Sequence, residues 1–283
     1  MLDPPEKRAQ SFGLLGAAFG LGFIIGPLLG GFLGGYSLRL PFWFAAGCAA
    51  LNWLYGFFVL PESLQPENRR PFSWARANPI GALQALQRLP AVRALAESYF
   101  LVMLAQSMLF SIWVLYTGHR YGWDTRQVGF SLCAVGVLSA LVQATLVKRA
   151  VAALGDSRAM LLGFSLSITA QLGYGLASQG WMVYTIMIFG SLAGITGPAL
   201  QSYITKHVAP NEQGAVQGVF AGLMSLAGIP GPLIATWAFG WAVGPDQPTW
   251  LSGLPFFFSA SLVLVALLLA VRSFQRHDPV PAA

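Results

Sequence analysis

Long uncharged apolar stretches alternate along this chain with short segments that hold almost all of its charge. A helix needs about 20 mostly apolar residues to cross a bilayer. Eight segments reach that length: Phe12–Tyr36, Leu40–Leu60, Ala94–Thr117, Val128–Val151, Arg158–Ala177, Trp181–Ile204, Gly214–Val243 and Leu251–Val271. Several are rich in Gly and Pro. Those residues break helices in water but are tolerated in lipid, where neighbouring helices re-satisfy the freed backbone groups. The pattern predicts an all-α integral membrane protein with about eight transmembrane helices.

The loops carry an orientation signal. Lys7, Arg8, Arg69, Arg70, Arg76, Arg88, Arg93, Lys148, Arg149, Arg158, Lys206, Arg272 and Arg276 fall in one set of connections. The alternate connections hold only Arg39, Arg120 and Arg126. The positive-inside rule then predicts that both termini are cytoplasmic. The longest connection, 61–93, is rich in Pro, Arg and Gln and reads as a cytoplasmic linker, with Pro79–Leu89 able to form an interfacial helix. Residues 273–283 read as a cytoplasmic tail.

Composition agrees with that reading. Hydrophobic residues make up 55% of the 283 and charged residues 9%, far below the roughly 25% charged of a soluble domain. The net charge of +6 is accounted for by orientation in the membrane, so no nucleic-acid partner is implied. Cys48 and Cys133 both lie in apolar runs and suggest neither a disulfide framework nor a metal site. The polar stretch Met1–Ser11 does not read as a cleavable signal. No nucleophile elbow, phosphate loop or zinc-protease motif occurs in a fitting context, so no enzyme and no cofactor is expected.

The chain also repeats itself. Gly13, Gly26 and Pro27 of the first span match Gly218, Gly231 and Pro232 of the seventh at a constant offset of 205. Leu40-Pro41-Phe42-Trp43-Phe44 of the second matches Leu254-Pro255-Phe256-Phe257-Phe258 of the eighth at an offset of 214. Each pair shares one orientation, which makes a parallel repeat, one of the known transporter architectures. The four spans between Ala94 and Ile204 have no upstream counterparts, so the repeat predicts that four helices, roughly 110 residues, are missing before Met1.

The first span carries Gly22-x-x-x-Gly26-Pro27-x-x-Gly30-Gly31, and this resembles the antiporter signature in the fifth helix of the major facilitator superfamily. Leu60-Pro61-Glu62-Ser63, Trp123-Asp124 with Gly129, Gln143-Ala144, the run Ala152–Ala159, Gly197-Pro198-Ala199-Leu200-Gln201 and Gln213-Gly214-x-x-Gln217-Gly218 are similar to later segments of the same superfamily. The closest resemblance is to its tetracycline-efflux family of drug/proton antiporters, over roughly Glu6 to Arg272 as helices five to twelve of twelve. The resemblance implies the last two helices of a first bundle in 1–60, a linker in 61–93 and a complete six-helix bundle in 94–272. It further implies a bacterial inner-membrane location, with a hydrophobic small molecule and protons as partners, and a chain that without the four upstream helices is not expected to complete a transport cycle by itself. Where the family's tetracycline pumps carry a histidine and an aspartate in two helices, this chain has Ser139 and Ser167. It thus lacks those ionisable groups, which puts tetracycline itself and proton coupling through this half in question.

Three groups of candidate residues follow. The motif residues Gly22, Gly26, Pro27, Gly30 and Gly31 are expected to act as hinge or seal. Gly155, Asp156 and Arg158 are expected to form a charged gating turn. Gln106, Trp113, Gln143 and Gln201 are expected to line a substrate cavity, since ligand pockets are apolar with a few placed polar groups. Two rival readings are a self-contained eight-helix channel or structural membrane protein and an intramembrane enzyme. The enzyme would need an acidic or His cluster that the spans lack.

Overall fold

The computed structural model describes residues 21–59 apart from Phe23, residues 90–207 and residues 213–277. Among these there is no strand. The helices are α1 (Ile24–Gly34), α2 (Leu40–Phe58), α3 (Pro90–Tyr121), α4 (Thr125–Thr145), α5 (Val147–Leu176) and α6 (Gly180–Leu192). A 3-10 turn at Ala193–Ile195 leads into α7 (Thr196–His207). Then come α8 (Gln213–Ala227), α9 (Pro230–Ala242), a second 3-10 turn at Thr249–Gly253 and α10 (Leu254–His277).

Six stretches among the described residues are long and apolar enough to cross a membrane: Leu95–Tyr121, Thr125–Thr145, Val147–Leu176, Gly180–Tyr203, Val216–Ala242 and Thr249–Arg276. They overlap the last six predicted spans one for one. Of the first predicted span, the described part is the short helix α1, and its beginning lies outside the described residues. The second is α2, which is 19 residues long. The predicted linker lies outside the described residues up to position 89, and Pro90–Arg93 open α3.

Two features of the helices follow directly from sequence. α5 contains one non-helical residue, Gly155, at φ 75° and ψ 167°. The chain there takes a conformation that a side chain disfavours, so α5 is two helices joined at Gly155. The predicted seventh span is divided between α8 and α9 at Gly228-Ile229, ahead of Pro230 and Pro232. Proline has no N–H to continue the helical ladder and is well suited to a new first turn. The first span carries a single proline, Pro27, and α1 runs through it unbroken.

Two compact units are present: Met1–Asn78 with Asp124–Cys133, and Pro79–Trp123 with Ala134–Ala283. In the second unit α10 lies against α3 and α5, α8 and α9 lie against α3, and α6 and α7 lie against α5. The core at one end joins Leu95, Ala105, Met160, Phe164, Tyr203, Phe220, Val263 and Phe274. Towards the other end an aromatic layer takes over. Trp113 meets Tyr174 edge-on at 5.2 Å and Tyr116 meets Phe256 at 4.6 Å. Close backbone approach is made possible by glycine: Gly253 sits directly on Gly175, and a Cβ at Gly231 would come within 2.6 Å of the Ser107 hydroxyl.

The end of α5 shows how a helix terminus in lipid finds partners. Its last carbonyls have no helical donor. The Tyr116 hydroxyl donates to the Tyr174 carbonyl at 2.6 Å, and Tyr121 Oη and Arg120 Nε donate to the Ala177 carbonyl at 3.1 and 3.2 Å. Both repeat-matched helices begin at their Leu-Pro, α2 at Leu40 and α10 at Leu254. Their burial differs, because Phe256 is fully buried whereas α2 has no buried residue.

Candidate functional site

The glycine motif of α1 has two faces. Gly22, Gly26 and Gly30 recur every four residues, and a Cβ on any of them would meet nothing within 4 Å among the described residues. Gly31 is buried, and its Cβ would lie 2.9 Å from Gly129 Cα and 3.1 Å from the Thr125 carbonyl oxygen. The relation is mutual: a Cβ on Gly129 would lie 2.9 Å from Gly31 Cα and 3.0 Å from the Pro27 carbonyl oxygen. Within the first unit, then, α1 and the first turns of α4 touch backbone to backbone. Only paired glycines permit that approach.

The seam extends beyond the motif. A Cβ at Gly34 would be 3.0 Å from Thr125 Cγ2, and one at Gly35 would be 2.8 Å from Arg126 Nε. The Arg126 guanidinium lies over the Tyr36 ring at 5.8 Å, within cation–π range, and Tyr36 meets Phe32 edge-on at 5.3 Å. The start of α4 is fixed by a reciprocal cap. Gln127 N–H donates to Asp124 Oδ1 at 2.8 Å, and Asp124 N–H donates to Gln127 Oε1 at 3.0 Å. This cap sets where Arg126 and Gly129 point. The reading from sequence named Gly129 only through the resemblance and missed Gly34, Gly35, Tyr36 and Arg126. The spacing Gly31-x-x-Gly34-Gly35 was the available signal, since residues three and four apart share a helix face.

The charged turn is built at the junction inside α5. Asp156 follows Gly155 and opens the second segment, where a carboxylate is favoured by the helix N-terminus. Its side chain is 7% exposed, and Oδ2 accepts from Lys206 Nζ at 2.5 Å. Oδ1 has no partner among the described residues. Lys206 sits in the last turn of α7, where a cation is favoured, and is 61% exposed. Arg158 is half-buried two residues further on. The partner of Asp156 is therefore Lys206, which the sequence reading left among the general loop cations.

The proposed cavity residues sit on three helices. Gln106 is half-buried on α3, and Gln143 and Gln201 are exposed on α4 and α7. Trp113 is 4% exposed, with its ring against Tyr174, so in this conformation it offers no face to a ligand. Gln171 of α5 is buried as well, and its Oε1 has no partner among the described residues. Ser139 and Ser167 are half-buried and Asn52 is exposed.

The sequence profile of the Major Facilitator Superfamily matches residues 3–232. The tetracycline resistance protein, class C, of Escherichia coli is 36% identical over 262 residues, which is 93% of this chain and 65% of that protein. The class D protein of Salmonella ordonez is 33% identical over 279 residues, covering 98% of this chain and 68% of that protein. This chain thus spans about two thirds of the length of such relatives. Among solved structures, the human organic anion transporter MFSD10 (TETRAN) superposes with a TM-score of 0.69 at 27% identity, over 95% of this chain and 65% of that one.

Proposed function

The chain belongs to the Major Facilitator Superfamily, and from that premise we propose that it is a secondary transporter exporting a hydrophobic, tetracycline-like small molecule in exchange for protons. The chain is a multi-pass membrane protein from a family of transporters rather than enzymes, and a relative of tetracycline resistance proteins. Substrate, coupling ion and direction are the proposal.

The observation that carries it is the seam in which Gly31 meets Gly129 and the Pro27 carbonyl. An exchanger must never open to both sides at once, so two of its helices need a dry contact too tight for water or a proton. Glycine against glycine supplies one. In this reading Gly31 and Pro27 are the seal. Gly22, Gly26 and Gly30, with open space beside them, form the face along which another helix slides. The turn at Gly155 with the Asp156–Lys206 pair forms the charged lock, with Arg158 beside it. Gln106, Gln143 and Gln201 are the polar groups offered to substrate. The proposal takes from the sequence a division into 1–60, 61–93 and 94–272, cytoplasmic termini and a bacterial inner membrane.

Expression in a drug-sensitive bacterial host tests the reading through cellular tetracycline fluorescence. The proposal predicts lower steady-state accumulation with the chain than with an empty vector, and restored accumulation with Gly31→Val. Unchanged accumulation with the chain demonstrably in the membrane would argue instead for the eight-helix structural reading.

A further inference from the structure

One face of α10 changes character along its length. Leu264, Leu268, Arg272 and Arg276 recur every four residues and so stack on one side of the helix. All four are exposed, Leu264 at 46% and Leu268 at 51%. Val265 at 47% widens the apolar part. The opposite face, with Val263, Ala266, Ala270 and Phe274, is buried in the core. The membrane-spanning stretch ends at Arg276, so the leucines lie at hydrocarbon depth and the two guanidinium groups at its edge.

Among the described residues neither arginine forms a hydrogen bond or ion pair, whereas Lys206 is held by Asp156. In the same unit, Arg120, near the far end of α3, shows the contrast. It is half-buried and donates to the Ala177 carbonyl as part of the helix-end cap. Tyr203 packs on Phe274 at 5.6 Å, which places the end of α10 beside the end of α7, where Lys206 lies. Val147 and Ala150, the residues flanking Lys148 and Arg149, pack against the same core cluster as Phe274. Lys148 and Arg149 are exposed. Arg272 and Arg276 therefore stand at a strongly positive end of the bundle.

From this stripe we infer a docking site for an anionic phospholipid, with the phosphate held between Arg272 and Arg276 and an acyl chain laid along Leu268 and Leu264. Two arginines whose Cβ atoms lie about 6 Å apart on one helix face can each offer paired N–H donors to one phosphodiester. A free phosphate would use the arginines but gain nothing from the leucines below them. A zwitterionic lipid would use the leucines but brings a cationic group to an already cationic end. The surface as a whole fits only a ligand with both parts. Each arginine near a membrane surface strengthens binding about fivefold.

The test needs no transport assay, so it succeeds or fails independently of the proposed function. Purified chain in neutral detergent is titrated with phosphatidylglycerol and with phosphatidylcholine of the same acyl chains, and bound lipid is counted by native mass spectrometry. The expected result is preferential retention of phosphatidylglycerol. Binding weakens about fivefold in Arg272→Gln or Arg276→Gln alone and about 30-fold in the double variant, and millimolar inorganic phosphate does not displace the lipid. Arg272→Lys with Arg276→Lys keeps the preference to within a few-fold. Should the double glutamine variant fail to fold, the two single variants decide. Equal retention of both lipids, unchanged binding in the glutamine variants, or displacement by inorganic phosphate would each overturn the inference.

Discussion

Replacing Lys206 by methionine isolates the physics of the charged turn. Asp156 is 7% exposed and makes its one contact among the described residues through Oδ2 at 2.5 Å, while Oδ1 has no partner. Losing Lys206 leaves a nearly buried carboxylate with neither oxygen satisfied. At that separation the gross Coulomb attraction is about 2 kcal/mol in water and about 7 at an effective dielectric near 20. Desolvation removes much of it, and Lys206, 61% exposed, is heavily screened. The net value falls to the range of a hydrogen bond to a charged group, about 1.5–3 kcal/mol. For Lys206→Met we predict about 2–3 kcal/mol, because the buried partner is left unpaired. For Asp156→Asn we predict about 1 kcal/mol, because an amide oxygen still accepts from Lys206. The double variant should cost less than the sum by about 1–2 kcal/mol, as expected of residues in contact. Thermal unfolding of purified protein reads this out, at roughly 2–4 °C per kcal/mol for a domain of this size. Additivity in the double variant, or a Lys206→Met protein as stable as the parent, would refute the reasoning.

Other substitutions probe the remaining elements. Gly31→Val drives a branched side chain into Gly129 and should part α1 from α4; a cysteine cross-link between Tyr36→Cys and Arg126→Cys that forms readily in the parent background should form several-fold more slowly in the Gly31→Val background. Gly155→Ala meets no described atom within 4 Å, so its cost is that of the φ 75°, ψ 167° backbone, a region nearly confined to glycine, about 2–3 kcal/mol, seen as a fall in melting temperature. Tyr116→Phe removes the donor to the Tyr174 carbonyl and should cost about 1 kcal/mol or slightly more, since that carbonyl is left unpaired. Asp124→Ala breaks the reciprocal cap at the start of α4 and should cost about 1 kcal/mol, with faster amide exchange confined to residues 124–129.

What the sequence made legible is what short-range physics dictates. The six spans from α3 to α10 follow from apolar run length. The match between α2 and α10 follows from their Leu-Pro pairs, whereas the break at Pro230 and Pro232 differs from the sequence pattern, in which Gly214–Val243 reads as one continuous span. Gly155 was identified as a turn residue, and only its φ shows why glycine is needed there. What stayed illegible depends on residues far apart in the chain. Nothing local to Asp156 points to Lys206, which is 50 residues away and was one loop cation among many. Nothing in the α1 motif says which of its glycines face a neighbour. Gly31 does so because α4 supplies Gly129, whereas Gly26, the more prominent residue of the motif, has open space. An aromatic in a span can equally face a ligand, lipid or the core, and in this conformation the Trp113 ring lies against Tyr174.

The central claim is proton-coupled drug movement, and inverted membrane vesicles test it most directly. Vesicles containing the chain are energised to acidify their interior, and tetracycline uptake is followed before and after an uncoupler is added. The account predicts uptake that rises with the imposed pH gradient, collapses with the uncoupler and is lost in Gly31→Val. Uptake indistinguishable from vesicles lacking the chain, or uptake indifferent to the gradient, would contradict it.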